Sequence, residues 1–268
     1  MKIGVHTIKG KTDREVLLFA HLDHPYQAND NLSGVACLVG LAKKLKCQHT
    51  IKIIFCPETI GSIAYAFKRD ISKVDFVIAV DMVGNDETLL IQKTFRQNSD
   101  LDCASHLALT GLGINFRKGH FRMLIGSDEY VFNDPAIDIP AIMVSRWSEE
   151  WKDYHTSDDT PDKIKMGKIR EAQRFIQKVI EITENDFIPV RNFKGPLFRS
   201  KFQAQSVDKR FNRNLDYLFY LMNGKRSLSL LCCLAGVPWD FAFNLLNKLK
   251  NENLVSYLSK EKFYKAAP

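Results

Sequence analysis

The chain has 268 residues, 45% apolar and 26% charged, and carries a formal net charge of +7. That size suits one large core with a small satellite, or two modest domains, in a soluble globular protein. No apolar stretch approaches the roughly 18 to 20 residues that span a bilayer, and "MKIGVHTIKGKTDREV" lacks an apolar signal core, so a membrane role is excluded and a cytoplasmic protein is expected.

Six cysteines are scattered without a C-x-x-C pair, most of them inside apolar runs, which argues for buried thiols and against a disulfide framework. Cys232 and Cys233 are adjacent, a spacing unsuited to a zinc pair.

Four short runs rich in Val, Ile, Leu and Phe read as buried strands: "EVLLFAH" at 15–21, "IKIIFCPE" at 51–58, "DFVIAVD" at 75–81 and "IPAIMVS" at 139–145. Between and after them, helices are expected over Asn31 to Leu45, Ile60 to Arg69, Leu101 to Gly111 and Pro161 to Glu184. The last spaces Met166, Ile169, Phe175, Ile176, Val179 and Ile180 as one apolar stripe. Alternation of this kind builds βαβ units, so the fold class is α/β: a mostly parallel sheet sandwiched by helices.

From Asn185 to about Asp208 the pattern dissolves, and a linker over 189–210 is expected to separate an α/β domain of residues 1–188 from a small domain of residues 211–268. The tail offers three short helices, "NLDYLFYLMN", "SLSLLCCLAG" and "PWDFAFNLLNKLKNEN", with Gly224 and Gly236 ending two of them. "LVSYLSKEKFYKAA" then reads as a β-hairpin, giving a winged-helix arrangement. From Pro189 onward 14 Lys and Arg face 5 Asp and Glu, so the tail is the basic half.

Polar residues arrive where the apolar runs end, and in an α/β sheet that edge is where ligands bind. In "AHLDHPYQANDNLSG" His21 closes a strand, His24 follows, and Asp30 stands at a helix start; Asp23 suits the carboxylate that fixes a ligating imidazole. The same "NDNLSG" is also good helix-capping sequence. Glu58 in "FCPETIGS" is placed either to ligate a metal or to act as general base. Asp81 in "AVDMVGN" lies behind a buried strand and needs a partner. His155 in "DYHTSDDT" is followed by Asp158 and Asp159, which suit support of the imidazole or capping of the next helix.

Together H-x-D, A-N-D-N-x-S-G, the acidic strand end before G-S, V-D-M-x-G and Y-H-T-x-x-D-T resemble the motifs of the zinc aminopeptidases with a two-metal centre, the group that includes the glutaminyl cyclases. The resemblance spans roughly residues 14 to 185, and "IGSDEYVF" before "DIPAIMVS" is similar to that group's S-D-x-x-x-F segment. "HPYQANDNLSG", "PETIGSIAY", "GSDE" and the basic tail more closely resemble bacterial aminopeptidase-like proteins associated with polysaccharide biosynthesis. The resemblance implies one or two zinc ions, with His21 and Asp81 on one, Glu58 and His155 on the other, and Asp30 bridging. It also implies Tyr154 as an oxyanion partner on the substrate side.

The chain departs from that pattern in three places. Pro57 stands where the aminopeptidases have the first of two adjacent glutamates, so Glu58 is left with two jobs, or Asp128 or Glu129 substitutes as base or contacts substrate. His24 competes with His21, although the nine-residue step from His21 to Asp30 suits the aminopeptidase loop better than the six from His24. The segment before the first metal-bearing strand is short, so part of the usual substrate wall is expected to be missing.

The expected function is hydrolysis of a peptide or related amide by a metal-activated water. The alternative is a catalytically reduced metal- or ligand-binding protein, or a regulator, whose winged helix makes protein or nucleic-acid contacts. For the tail, a packing or homodimerising module is favoured over nucleic-acid binding. Lys225, Arg226 and Lys248 are the candidate phosphate contacts, but the third helix is apolar at most groove-facing positions.

Overall fold

The computed structural model of the chain describes residues 1–25, 27–198, 200 and 209–260. Its backbone forms two compact units, one of Met1–Ser105 with Ile114–Glu184 and one of His106–Gly113 with the chain from Asn185 onward.

The first unit is built on a seven-stranded sheet. In chain order its elements are β1 (Gly4–Ile8), β2 (Glu15–His21), α1 (Gly34–Ala42), β3 (Thr50–Cys56), α2 (Ile60–Lys68), β4 (Val74–Val80), β5 (Leu89–Gln92), the start of α3 (Asp100–Leu112), β6 (Phe116–Gly119), α4 (Glu129–Phe132), β7 (Ala141–Ser145) and α5 (Met166–Asn185). Across the sheet the strands run β1-β3-β2-β4-β7-β5-β6. The four apolar runs are the adjacent strands β3, β2, β4 and β7, all parallel. β2 has a parallel neighbour on each side and is buried from Val16 to His21, which explains why its sequence is a continuous apolar run and not an alternating one.

The margins of the sheet depart from the parallel rule. β1 pairs with β3 antiparallel, and β5 pairs with β7 antiparallel and carries β6 at the outer edge. α5 buries Ile169, Phe175, Ile176, Val179 and Ile180 as its periodicity requires, but Met166 at its first turn is exposed. A short 3-10 turn at Pro161–Lys163 precedes it where one continuous helix was expected.

Beneath one face of the sheet, Phe19 meets Tyr65 edge-on at 5.7 Å and Phe132 at 5.1 Å, packed among Leu17, Ile54 and Val77. This aromatic knot joins β2, the strand that ends in His21, to α2 and α4. No helix among the described residues is long and apolar enough to cross a membrane.

In the second unit, β8 (Ile188–Arg191) overlaps the start of the stretch expected to be a linker over 189–210 and pairs antiparallel with β9 (Val255–Leu258). Residues 199 and 201–208 of that stretch lie outside the described residues. Between these strands come α6 (Lys209–Leu221), α7 (Leu228–Ala235) and α8 (Trp239–Asn251), the expected three helices. Asp186 accepts from the backbone N–H and hydroxyl of Ser229 at 3.0 and 2.6 Å, which fixes α7 to the chain entering β8. Gly236 ends α7 with φ +64, in the left-handed conformation that favours glycine. The hairpin expected over Leu254 to Ala267 contains β9, whose observed partner is β8; residues 261–268, where its second strand would lie, are outside the described residues. Lys225 and Arg226 sit in the turn before α7, and Lys248 is exposed near the end of α8.

Removing the ring of fully buried Phe19 leaves a cavity under β2 that its neighbours fill only partly. Phe19→Ala is expected to lower the stability of the fold by about 3–5 kcal/mol, read from the shift of the urea midpoint at unchanged slope. A loss below about 1 kcal/mol would contradict the packing described.

Candidate metal centre

Parallel neighbours bring their C-terminal ends to one edge of a sheet, and four of the expected ligands arrive there for that reason. His21 is the last residue of β2, Asp81 follows β4, Glu58 lies two residues beyond β3, and His155 is on the loop after β7. Asp30 reaches the same edge on an irregular turn, Ala28–Ser33, whose middle residues Asp30 and Asn31 leave helical geometry and are joined by a cis peptide bond.

The capping-like sequence around Asp30 is used to hold this turn. Asn31 Nδ2 donates to the carbonyl of Val80 at 2.8 Å, while Oδ1 accepts from the N–H groups of Gly34 and Met82 at 3.0 and 3.1 Å. Asn29 Oδ1 accepts from Gly84 N–H at 2.8 Å, and Ser33 Oγ donates to Asn29 O and accepts from Val83 N–H. Gly34 is required by close approach: a Cβ there would stand 2.3 Å from Asn31 Oδ1 and 2.6 Å from Val80 O. From the loop after β7, buried Asp159 receives the N–H of Asn29 on one oxygen at 2.7 Å and that of Asp30 on the other at 2.9 Å. One carboxylate thus ties the Asp30 turn to the segment that carries His155.

At the centre, the Asp30 carboxylate is 2% exposed and serves two imidazoles with different oxygens. Oδ1 is 2.8 Å from His21 Nε2, and Oδ2 is 3.1 Å from His155 Nε2. Asp81 Oδ1 lies 4.0 Å from His21 Nε2, and His24 Nε2 lies 3.8 Å from Asp30 Oδ1. Two sets of donor atoms, His21 with Asp30 and Asp81, and His24 with Asp30 and His155, each fall within 4.8 Å of one another. A third, His21 with Asp23 and His24, meets the same distance.

Charge is crowded here. Burial drives the Asp81 carboxyl well above its usual range; His21 pulls the other way, and Asp30 and Glu58 push it further up. For His21, burial lowers the imidazole, but the carboxylates of Asp81, Asp30 and Glu58 outweigh it and raise the pKa to about 10. His21 and Asp81 are thus both pushed toward holding a proton, the imidazole by the neighbouring carboxylates and Asp81 by burial.

The remaining candidates take different places. Glu58 belongs to none of the three donor sets, yet its carboxylate is near enough to raise His21, Asp81 and Tyr154. Asp23 Oδ2 accepts the Glu58 N–H at 3.2 Å, and Asn31 Nδ2 lies 3.4 Å from His21 Nδ1. Asp128, a candidate base, is buried, and its Oδ1 is taken by Thr59 N–H at 2.9 Å and Ser62 Oγ at 2.6 Å. Glu129, expected near substrate, is fully buried and accepts from Gln92 Nε2 and Ser127 N–H. Tyr154 stacks on the His155 ring at 3.9 Å; burial and the Asp30, Asp81 and Glu58 carboxylates raise its hydroxyl to about 12, so it remains a donor at neutral pH.

Three non-glycine residues beside candidate ligands hold left-handed backbone: Thr59 (φ +60), Met82 (φ +50) and His155 itself (φ +56). Such conformations cost on the order of 1–3 kcal/mol each and persist where surrounding contacts over-determine them. Asp128 does this for Thr59, and Asn31 for Met82.

A divalent cation fits these residues. Asp81 Oδ1 is buried without any hydrogen-bond partner, an expensive state for a carboxylate oxygen. Imidazole nitrogens and carboxylate oxygens are the donor set that zinc takes.

Comparison with known proteins follows the same line. The model of the family described as "Domain of unknown function (DUF4910)" matches residues 1–186. A Clostridium acetobutylicum protein named "Putative polysaccharide biosynthesis protein with aminopeptidase-like domain" is 29% identical over 188 residues, which is 68% of this chain and 43% of that protein. The chain therefore spans less than half the length of this curated relative. A crystal structure of a "putative peptidase" from the same species superposes with a TM-score of 0.81 at 24% identity, covering 96% of this chain and 60% of that one. A zinc aminopeptidase from Bacillus subtilis superposes with a TM-score of 0.58 at 20% identity, covering 67% and 49%. Glutaminyl cyclases share the fold as well.

Two outcomes are expected. Asp159→Ala frees the Asn29 and Asp30 backbone and should weaken zinc affinity about 10- to 100-fold, measured by competition with a chromophoric chelator; unchanged affinity would mean that the clamp does not position Asp30. The second concerns pH. His21 rises from 6.5 to about 10 on folding, so its proton stabilises the metal-free fold fully below about pH 6.5, and that contribution is lost as pH rises toward 10. Zinc must displace this proton, so the gain in Tm on adding zinc is expected to be larger at pH 8 than at pH 6. An equal gain at both would contradict a protonated His21.

Proposed function

Taking as premise that the chain belongs to the DUF4910 family and has the aminopeptidase-like fold, we propose that it is a zinc-dependent hydrolase of an amide bond. The observation that carries this reading is the Asp30 carboxylate, which turns one oxygen to His21 and the other to His155 at the ligand-binding edge of the sheet. A carboxylate so shared is suited to bridge two cations.

His21, Asp30, Asp81 and His155 would hold zinc, and zinc bound there would lower the pKa of a water molecule and polarise the amide carbonyl. The chain's own residues supply the rest. Glu58 faces the cluster from the turn after β3 and takes the proton from the attacking water as its oxygen adds to the carbonyl carbon. When the C–N bond breaks, that proton passes to the departing amine nitrogen, so no oxidant or second reactant is needed. Tyr154, kept as a phenol beside His155, donates toward the developing oxyanion.

The amide is that of a peptide N-terminus or of a modified amino sugar, the latter because a relative's name refers to polysaccharide biosynthesis.

Zinc-loaded protein is expected to hydrolyse members of a panel of aminoacyl-4-nitroanilides and N-acyl amino sugars, with activity removed by chelator and restored by zinc. Asp81→Asn should weaken retention of the ion that His21 and Asp81 would hold, and abolish turnover. Full zinc occupancy with no turnover across the panel would instead favour a metal-binding protein without hydrolase activity.

A further inference from the structure

We infer that His24 is a metal ligand, completing with Asp30 and His155 the donor set of a second ion, and that Glu58 is not a ligand of either. The inference builds on the zinc hydrolase reading and resolves what one acid after Pro57 does in a centre where two tasks fall to that position.

The geometry carries it. The ligand atoms of His24, Asp30 and His155 lie within 4.8 Å of one another, and Glu58 enters no such set. The His24 ring stands between the other two imidazoles, 5.0 Å and edge-on to His21 and 5.3 Å from His155. Its side chain is only 24% exposed although it sits in a loop, so the ring is turned inward. The donor set that pairs His24 with His21 includes Asp23, which is exposed and whose Oδ2 holds the Glu58 N–H, so His24 falls to the other ion.

Counting donors gives the same division. Were Asp30 to bridge two ions, His21 and Asp81 would complete three protein donors for one, and His155 and His24 three for the other. His24 Nε2 lies 3.8 Å from Asp30 Oδ1 and within 4.8 Å of the His155 donor atom. Each ion would then keep an open position for water or substrate, as catalytic zinc requires. No place in that count needs Glu58.

Glu58 is held differently. Asp23 fixes its N–H, and Asp128 fixes the N–H of Thr59 and the hydroxyl of Ser62 in the turn that follows. The turn is held from both sides, and the carboxylate acts electrostatically on His21 and Asp81 while joining none of the donor sets. A base must approach the water and not the metal, so this placement suits proton transfer. The donor sets of the two ions also differ: two imidazoles with one carboxylate on the second, against one imidazole with two carboxylates on the first.

The experiment is a zinc count by elemental mass spectrometry after loading and dialysis, made on the wild-type chain, His24→Ala, His24→Gln and Glu58→Gln, with far-UV circular dichroism to verify the fold of each. Two zinc ions are expected in the wild type and in Glu58→Gln, and one in both His24 variants. A Glu58→Gln protein reduced to one ion beside His24 variants that keep two would overturn the assignment and make Glu58 the ligand. Two ions retained by every variant would equally remove His24 from the donor set. A wild type that takes up no zinc would overturn the hydrolase reading along with this one, whereas two ions lost from neither histidine variant would overturn this inference alone.

Discussion

Everything at the candidate site depends on where one buried carboxylate points. Asp30 has two oxygens and two imidazole partners, and at 2% exposure neither oxygen has water to fall back on. A buried charge without partners is too costly to keep, so the fold must deliver His21 and His155 to it together. They come from segments more than a hundred residues apart in sequence. The parallel order of β3, β2, β4 and β7 makes that meeting geometric, because it sets every strand end on one edge. The finer placement is done by side chains of Asn29, Asn31, Ser33 and Asp159, whose hydrogen bonds go to backbone groups of the turn and of the strand-end loop beside it.

The metal-free centre is electrostatically frustrated, and this is informative. Asp81, Asp30 and Glu58 crowd around one imidazole that burial would otherwise leave neutral, so that His21 and Asp81 are both pushed toward holding a proton. Left-handed backbone at Thr59, Met82 and His155 adds local strain beside the ligands. A core optimised only for stability would carry neither feature. Sites that hold a cation commonly do, since the ion offsets the repulsion when it binds. The aromatic packing of Phe19 beneath β2 provides the rigid floor against which this strain is maintained.

Much of this was legible in the chain. Central parallel strands are apolar on both faces, so β2, β4 and β7 stand out as continuous runs, and the ligands follow where those runs stop. The marginal strands β1 and β6 have no such signature, β1 being exposed over most of its length, while β5 is buried and apolar but only four residues long. β8 was hidden for a related reason, since its partner β9 lies more than sixty residues onward and Pro189 sits within it. The roles of Asn29 and Asn31 could not be separated from helix capping, because the same residue types satisfy local and distant N–H groups alike. Asp128 and Glu129 read as chemical from the motif, and in the fold both are buried and accept hydrogen bonds from Thr59, Ser62, Gln92 and Ser127. Spacing alone favoured His21 over His24, whereas in three dimensions both face the cluster.

The central claim is that Asp30 bridges two metal ions at the strand ends. Anomalous diffraction recorded on either side of the zinc absorption edge from zinc-soaked crystals tests it without reference to any substrate. The account expects two peaks roughly 3.5–4 Å apart, one on each oxygen of the Asp30 carboxylate, with His21 and Asp81 beside one and His155 beside the other. A single peak away from Asp30, or none at the strand ends while zinc is found elsewhere on the chain, would contradict it.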